Sequence, residues 1–137
     1  LSSALQKHVR EYSSQTGIDV DCRLGDMEKI SFTPDEETTV YRIVQEALTN
    51  IVKHAEATHV SIVAGLRDSD LVMIIEDNGK GFDLEKLSIQ EDEMRLGLFG
   101  MEERASFVGG KVTIESILGE GTTLFLDLPA RAKRGTA

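Results

Sequence analysis

Three side chains of complementary chemistry stand at helical spacing within the sequence TPDEETTVYRIVQEALTNIVKHA, residues 33–55. Glu46, Asn50 and Lys53 recur at i, i+4 and i+7, so a helix would present all three along one edge. A carboxylate, a neutral oxygen ligand and a cation could together bind a metal ion and a phosphate. In an arbitrary helix such an edge is more often solvated and carries an ion pair, so the rest of the chain must decide between the two interpretations.

The sequence DNGKGF begins at Asp77, directly after a nearly all-apolar stretch that is typical of a central strand. Strand alternation places Asp77 on the same face as Met73 and Ile75, so that a carboxylate stands at the mouth of an apolar slot. Adenine needs apolar walls for its ring and an acceptor for its exocyclic amine. Gly79 and Gly81 allow positive φ and a close approach of a ligand to the backbone. This motif alone most often forms a plain turn, and a calcium loop is disfavoured because glycines stand where that loop requires oxygen ligands.

Two further glycine clusters stand at predicted element junctions. The sequence GLFGM, residues 97–101, precedes a predicted helix, and free backbone N–H groups at a helix start can bind phosphate. The sequence GEGT, residues 119–122, joins two predicted strands and by itself indicates only a hairpin. Neither is a Walker loop, because no Gly-Lys-Ser/Thr follows either cluster. Each cluster alone is most often a turn or a cap.

These candidate residues must be positioned by elements that hydrophobic periodicity predicts. The central element is one long helix, 33–55, which begins with a Thr33–Glu36 capping box and has Pro34 at its first position. Its buried stripe is predicted to be Val40, Ile43, Val44, Ala47, Leu48, Ile51 and Ala55. The other predicted elements are a helix 1–15 ended by Gly17, a strand 18–24 with a short partner 29–32 across a Gly25-Asp26 turn, strands 59–66 and 71–76, a mobile loop 79–97, a helix 98–108, and strands 112–118 and 122–128.

Composition sets the broad class. The 137 residues, 40% of them hydrophobic, are enough for one globular domain with a single core. With 24 acidic and 15 basic residues the net charge is -9, which argues against a nucleic acid or an anionic membrane as partner, although a nucleotide site needs only local donors. Cys22 is the only cysteine, which excludes an internal disulfide, favours a reducing compartment and is expected in the core. No apolar run is long enough to span a membrane, and we expect no signal peptide.

Four stretches taken together and in this order resemble a known family: QEALTNIVKHA, EDNGKGF, RLGLFGMEERA and GEGTTLFLDLP. They are similar to the N box and the three glycine boxes of the histidine-kinase ATP-binding domain. The sequence patterns QEALTNxxKHA and GLxGMxERA together resemble the NarX/DesK-like subgroup, whose regulators usually carry DNA-binding output domains. The resemblance implies the Bergerat ATPase fold, an α/β (α+β) two-layer sandwich. In that fold a mixed, mostly antiparallel sheet of about five strands packs on about three helices, and a flexible lid covers ATP.

Carried over residue by residue, the resemblance implies that Asn50 is a catalytic Mg²⁺ ligand and that Asp77 accepts the adenine amine. Glu46 is a second candidate for catalysis and for Mg²⁺, since a carboxylate here activates water in related ATPases. In histidine kinases, however, the residue next to the phosphoacceptor histidine is thought to assist the reaction instead. The other ATP-binding residues that it implies are Lys53 and His54 on the long helix, Gly79, Gly81 and Phe82, Arg95, Gly97, Leu98, Gly100 and Met101, and Gly119, Gly121 and Thr122.

The second glycine box departs from the family pattern in two ways. Gly97 and Gly100 are expected to bound the lid and its phosphate-facing helix start. Arg95 stands where a glycine is often seen, which either stiffens the lid or offers phosphate a cation. The segment between Phe82 and Gly97 is also long and acidic for the subgroup, so its behaviour as a lid is left open.

The phosphoacceptor is not expected in this chain. His8, His54 and His59 are the only histidines, and none is followed by the acidic residue expected in the subgroup's acceptor motif. Because the chain opens without methionine in the middle of a helical pattern, we expect a fragment that lacks an upstream dimerisation domain. We therefore predict a helix 1–16 leading from that domain, a catalytic domain 17–129 and a disordered tail 130–137.

The resemblance predicts the ATP-binding catalytic domain of a two-component sensor histidine kinase, with ATP and Mg²⁺ as cofactors. Its partners would be its own dimerisation domain, in a homodimer, and a response regulator, in the cytoplasm, with no nucleic acid and no direct membrane contact. One alternative is an anti-sigma-type serine kinase of the same superfamily. The NarX/DesK-like sequence patterns of the boxes argue against it. Another is a non-catalytic nucleotide-binding module that signals by lid position alone.

Overall fold

The computed structural model describes residues 1–86 and 92–131, and these form a two-layer α/β sandwich. One layer is a five-stranded sheet and the other consists of the α-helices. The elements follow along the chain as α1 (Ser2–Thr16), β1 (Asp19–Arg23), a 3₁₀ helix (Gly25–Lys29), α2 (Pro34–Asn50), a π-helical turn (Ile51–Ala55), β2 (His59–Arg67), β3 (Asp70–Asp77), a 3₁₀ turn (Leu84–Lys86), α3 (Asp92–Phe107), β4 (Lys111–Ile117) and β5 (Gly121–Pro129).

The sheet is mixed, with strand order β1-β2-β3-β5-β4. Only β1 and β2 pair in parallel, because the chain between them crosses the sheet through α2; the other neighbouring pairs are antiparallel. Inward-facing residues alternate with exposed or half-buried ones along β3, where Leu71, Met73, Ile75 and Asp77 are all buried. The predicted face for Asp77 is therefore confirmed. A hydrophobic core lies between this face and the helices.

Helix α2 begins as predicted. Thr33 Oγ1 accepts the Glu36 N–H at 3.1 Å and Glu36 Oε1 accepts the Thr33 N–H at 2.8 Å, which completes the capping box. Every residue of the predicted stripe is buried. The prediction of one uninterrupted helix to Ala55 is wrong, because the α-helix ends at Asn50 and continues as the π-helical turn. That turn presents the Ala55 carbonyl to the Lys80 N–H at 2.7 Å, an interaction with a distant segment that periodicity cannot reveal.

The predicted strand 29–32 is wrong. Lys29 ends a 3₁₀ helix that begins at Gly25, Ile30 makes an isolated β-bridge, and the strand ladder of β1 is made with β2. Leu24, Met27 and Ile30 are all buried at a spacing of three residues. A 3₁₀ turn can direct all three inward, whereas a strand would alternate them between two faces.

Helix α3 begins at Asp92, whereas the sequence predicts a loop to residue 97 and a helix from 98. Gly97 and Gly100 therefore lie inside the helix and do not bound its start, so their N–H groups are not the free donors of a first turn. A Cβ at position 97 would lie 2.5 Å from Glu46 Oε1, so a larger residue there would require the flexible Glu46 side chain to shift. Packing on α2 thus outweighs the low helix propensity of glycine. Residues 87–91 of the predicted mobile loop lie outside the described residues.

The chain stays attached beyond Pro129. The Ala130 N–H donates to the Ser69 carbonyl at 2.8 Å, and the Ser31 N–H donates to the Arg131 carbonyl at 2.8 Å. The Arg131 guanidinium also binds the Glu36 carboxylate. The prediction of a disordered tail is therefore wrong for Ala130 and Arg131. Residues 132–137 lie outside the described part of the chain. Among the described residues, no helix is long and apolar enough to cross a bilayer.

Candidate functional site

A cavity of about 540 Å³ lies between the C-terminal end of α2, the first turns of α3 and the ends of β3, β4 and β5. Its volume lies within the range of roughly 300–1,000 Å³ that small-molecule sites occupy. Apolar side chains from the sheet and both helices form most of its walls, and polar side chains come from the end of β3 and the end of α2. The lining residues are Ala47, Asn50, Ile51, Lys53, His54, Ala55, Ile75, Asp77, Lys80, Gly81, Phe82, Asp83, Met94, Leu98, Ile114, Leu118, Thr122 and Leu124.

Asp77 lies at one end of the cavity, where β3 stops. The residue is only 5% exposed, and its Oδ1 accepts the Gly79 N–H at 2.8 Å. Burial raises the pKa of this carboxyl, and hydrogen bonds from the Gly79 and Thr122 N–H groups reduce the rise. Thr122 is the register partner of Asp77 on β5, so the two side chains stand next to each other on the inner face. This end offers a buried acceptor and a hydroxyl beside apolar walls.

The turn after Asp77 is held between two other segments. The Lys80 N–H donates to the Ala55 carbonyl at 2.7 Å, and the Lys80 carbonyl accepts the Gly119 N–H at 2.6 Å. Gly81 has φ +63°, and a Cβ there would lie 2.2 Å from the Ile117 carbonyl oxygen, so only glycine fits. The glycines of these two boxes therefore allow backbones to pack together around the cavity.

Asn78 is a residue of this turn for which the sequence analysis made no prediction. Its Oδ1 accepts the N–H groups of Thr58 and His59, both at 2.9 Å, and its Nδ2 donates to Thr58 Oγ1 at 2.9 Å. The side chain thus fastens the turn to the start of β2. An Asn-Gly pair after a strand signals a turn, but nothing local reveals these partners.

A second set of polar lining residues lies at the end of α2. The Asn50 Nδ2 and the His54 Nε2 are buried without a hydrogen-bond partner among the described residues. Lys53 Nζ lies 2.6 Å from Glu93 Oε1 on α3. This hydrogen bond raises the pKa of Lys53 and lowers that of Glu93. An unpartnered amide, an imidazole and a cation are groups that could bind phosphate oxygens.

The structure brings about half of the predicted site residues to the cavity wall. Those that line it are Asn50, Lys53, His54, Asp77, Gly81, Phe82, Leu98 and Thr122. Glu46 lies behind this wall against Gly97. Arg95 pairs with Asp92 at 3.7 Å on α3, and Met101 is buried in the core. The remaining predicted residues, which are not among the lining residues, are Gly79, Gly97, Gly100, Gly119 and Gly121.

Several lining residues have no prediction in the sequence analysis. Met94 could not be found because its segment is predicted as loop, and Lys80 and Asp83 lie in a turn without periodicity. Strand alternation does carry a signal for Ile114 and Leu124, which face inward on β4 and β5. Among the described residues, no group of three His, Cys, Asp or Glu side chains could hold a metal ion by itself.

A family model described as the histidine kinase-, DNA gyrase B- and HSP90-like ATPase matches residues 35–132. The chain belongs to this family. The ATPase domain is 36% identical over 130 residues to the signal transduction histidine-protein kinase/phosphatase DegS of Brevibacillus brevis, a match that covers 94% of the chain and 32% of that protein. It is 33% identical over 119 residues to DegS of Bacillus subtilis (strain 168), covering 87% of the chain and 30% of that protein. The ATPase domain thus spans about a third of the length of these relatives.

Solved structures show the same fold. The histidine kinase domain of the blue-light activated kinase of Erythrobacter litoralis EL346 superposes with a TM-score of 0.76 at 19% identity, covering 93% of the chain and 60% of that one. Full-length ShkA in complex with AMPPNP superposes with a TM-score of 0.73 at 19% identity, covering 96% of the chain and 30% of that one. The predicted fold class is therefore confirmed. DegS is in the NarX-like group, so the resemblance to that subgroup is confirmed as well, and the serine-kinase alternative is not favoured.

Proposed function

We propose that this ATPase domain binds Mg²⁺-ATP and transfers the γ-phosphate to a histidine on a dimerisation domain of the full-length protein. The observation that carries this proposal is the polarity of the cavity. A buried acceptor, Asp77, lies at the end of β3 beside apolar walls, whereas Asn50, Lys53 and His54 line the cavity at the end of α2. ATP has the same polarity, with a flat base that carries an amine donor at one end and a polyanion at the other.

Asp77 would accept the adenine amine, and Ile75 and Leu124 would contact the ring from the sheet side. A carboxylate that is already desolvated and hydrogen bonded by backbone N–H groups needs little reorganisation to accept an amine. Thr122 would complete the base end beside Asp77. Lys53 and His54, at the end of α2, would supply a cation and a donor to the polyphosphate.

Asn50, which lines the cavity, would hold Mg²⁺ jointly with phosphate oxygens through its Oδ1; Glu46 does not line the cavity and is the weaker candidate. Mg²⁺ is usually bound by few protein ligands together with substrate phosphates and water, so the lack of a three-ligand cluster among the described residues fits a shared site. Asn50 lines the cavity, so its Oδ1 could bind the ion while its Nδ2, which has no partner among the described residues, donates to a phosphate oxygen. When bound, the ion would neutralise charge on the transferring phosphoryl group.

The acceptor histidine would come from another domain. His8 packs against the Tyr41 ring at 5.6 Å between ring centroids, and His59 Nδ1 contacts Asp19 Oδ2 at 3.2 Å. Both lie on elements that do not line the cavity, and His54 lies within the wall itself. We therefore propose that residues 1–16 lead from a dimerisation domain, that residues 17–129 catalyse, and that the protein acts as a cytoplasmic homodimer on a response regulator.

The test is incubation of the chain with γ-labelled ATP, with and without the cognate dimerisation hairpin. Phosphoryl transfer depends on positioning a nucleophile in line with the γ-phosphate, so the chain alone should show negligible label and at most slow hydrolysis. Acid-labile label on the added hairpin is the expected result. Stoichiometric label on the chain alone would contradict the assignment of the acceptor, and acid-stable label on the added protein would favour a serine kinase. Binding of ATP without any transfer would favour a regulatory module.

Asn50→Ala provides a separate test of the Mg²⁺ assignment. The side chain lies at the edge of the buried stripe, so the variant should fold, yet ATP affinity should depend on Mg²⁺ about ten-fold less than in the wild type. Titration calorimetry with and without Mg²⁺ measures this, and Glu46→Gln examined in parallel separates a role in chemistry from one in binding. A loss of thermal stability with an unchanged Mg²⁺ dependence would assign Asn50 a purely architectural role.

A further inference from the structure

Asp83 is a second carboxylate in the cavity wall, and the proposed function gives it no role. Among the described residues that line the cavity, Asp77 and Asp83 are the acidic ones. Asp83 is half-buried and directly follows Phe82 in the turn that leads away from β3. A carboxylate repels phosphate, so Asp83 is expected to face a neutral part of the ligand that carries hydrogen-bond donors.

The backbone before Asp83 is fixed close to the residues that would hold the base. The Phe82 N–H donates to Ser116 Oγ at 2.8 Å, and the same oxygen lies 2.7 Å from Thr122 Oγ1. Thr122 is in turn the register partner of Asp77. Asp83 therefore lies one residue beyond a backbone group that is hydrogen bonded to the neighbour of Thr122.

The Asp83 side chain is held in place by a local hydrogen bond. Its Oδ1 accepts the Glu85 N–H at 3.0 Å, at the start of the 3₁₀ turn Leu84–Lys86. A carboxylate has two oxygens with about four acceptor sites, so this bond leaves acceptor capacity for a ligand. The acceptor is thus oriented before a ligand binds, which lowers the entropy cost of a contact.

We propose that Asp83 is a specificity-determining residue that accepts a hydrogen bond from the ribose 2′-hydroxyl, so that the cavity prefers ribonucleotides to 2′-deoxyribonucleotides. The sugar is the neutral part of a nucleotide that adjoins the base, and its hydroxyls are donors. A carboxylate binds the ribose 2′-hydroxyl in the same way in dinucleotide-binding folds. A site that hydrogen bonds a ligand hydroxyl discriminates against the analogue without it. This inference rests on the proposed nucleotide site.

The test compares the affinities of ADP and 2′-deoxy-ADP for the wild type and for Asp83→Ser by titration calorimetry. Serine can keep the hydrogen bond to the Glu85 N–H while it removes the carboxylate. The wild type should bind ADP about ten-fold more tightly than 2′-deoxy-ADP, and Asp83→Ser should bring the ratio close to one. The two ligands carry the same phosphates, so the loss of a negative charge affects both equally and cancels in the ratio.

Glu85→Gln is the matched control. It removes an exposed carboxylate from the same turn, leaves the backbone N–H that Asp83 binds, and should retain the full preference for ADP. A loss of the preference in this variant would overturn the assignment to Asp83.

The outcomes separate this inference from the proposed function. Equal binding of ADP and 2′-deoxy-ADP by the wild type would overturn the inference. An unchanged ratio in Asp83→Ser would do the same, because it leaves Asp83 only the role of capping the 3₁₀ turn. If Asp83→Ser does not fold, Asp83→Asn keeps the shape of the side chain and must also lose the preference, since its oxygen caps the turn and its amide is a donor. A wild type that binds neither nucleotide would overturn the proposed function itself.

Discussion

Asp77 combines two properties that oppose each other in a carboxylate. It is buried at the end of an apolar cavity, which disfavours its charge, and it is the acceptor that an adenine amine would need. The hydrogen bonds from Gly79 and Thr122 only partly offset the desolvation, so its pKa stays above the ordinary value. Burial of the Asp77 carboxylate thus lowers the stability of the fold, and the site retains this carboxylate because it is needed for binding.

Asp77→Asn should therefore weaken adenine nucleotides and at the same time stabilise the fold near neutral pH. The amide can turn a donor toward the adenine amine, and a mismatched buried polar contact costs about 1–3 kcal/mol, or roughly 5- to 150-fold in affinity. Calorimetric titration with ADP measures this loss. Unchanged affinity would remove Asp77 from the site.

The pH dependence of the same variant has a defined sign. Because the folded pKa of Asp77 is raised, its contribution to stability is fully present below the ordinary aspartate pKa and is lost as the pH rises through the raised value. The advantage of Asp77→Asn in thermal melts should consequently be largest at neutral pH and vanish as the pH falls into the ordinary aspartate range. An advantage that grows on acidification would contradict a raised pKa.

At the scale of elements, α3 forms part of the cavity wall beside α2 in the described structure. Its first turns bring Met94 into the cavity wall and Gly97 against Glu46. Glu93 Oε1 forms an ion pair with Lys53 Nζ at 2.6 Å. An anionic ligand that needs Lys53 must compete with this carboxylate.

Glu93→Gln should consequently raise ATP affinity by about two- to five-fold, a modest gain because the pair is exposed and screened by solvent. Asp92→Asn is a matched control, since it removes the same charge one residue away from a side chain that pairs with Arg95 instead. Titrations of both variants at one ionic strength decide the point. An equal gain in the two variants would indicate a general effect of charge on α3 and not release of Lys53.

At the scale of the whole molecule, the end of the described chain is fastened to the start of α2. The guanidinium of Arg131 binds the buried carboxylate of Glu36, which also accepts the Thr33 N–H in the capping box. Burial would raise the pKa of Glu36, but the hydrogen bonds from Thr33 and Arg131 outweigh it and hold the pKa below its ordinary value. The helix cap and the chain end therefore stabilise each other.

Arg131→Ala should lower the melting temperature by roughly 3–5 °C, corresponding to about 1 kcal/mol because the guanidinium is half exposed. With its lowered pKa, Glu36 contributes stability that is present above the ordinary glutamate pKa and is lost as the pH falls through the lowered value. The difference between the variant and the wild type should therefore shrink in acid. Arg10→Ala, which removes an exposed arginine from α1, is the control, and an equal loss there would contradict a specific role of Arg131.

Signals that act within a few residues were sufficient to predict much of the molecule. The Thr33–Glu36 box determines the start of α2, and alternation along β3 places Asp77 on the inner face, because caps and pleats depend only on neighbours in the chain. The order of the four boxes predicted the family and hence the fold.

Contacts between distant segments decided the rest. α3 starts at Asp92 although glycines follow it, because the burial of Met94, Met101 and Ala105 outweighs local propensity. The Ser116–Thr122 contact needed the observed strand register, and the bond between Arg131 and Glu36 joins residues 95 apart in sequence. Such contacts form only once the sheet and helices bring the segments together. They therefore cannot be predicted from a local pattern of residues.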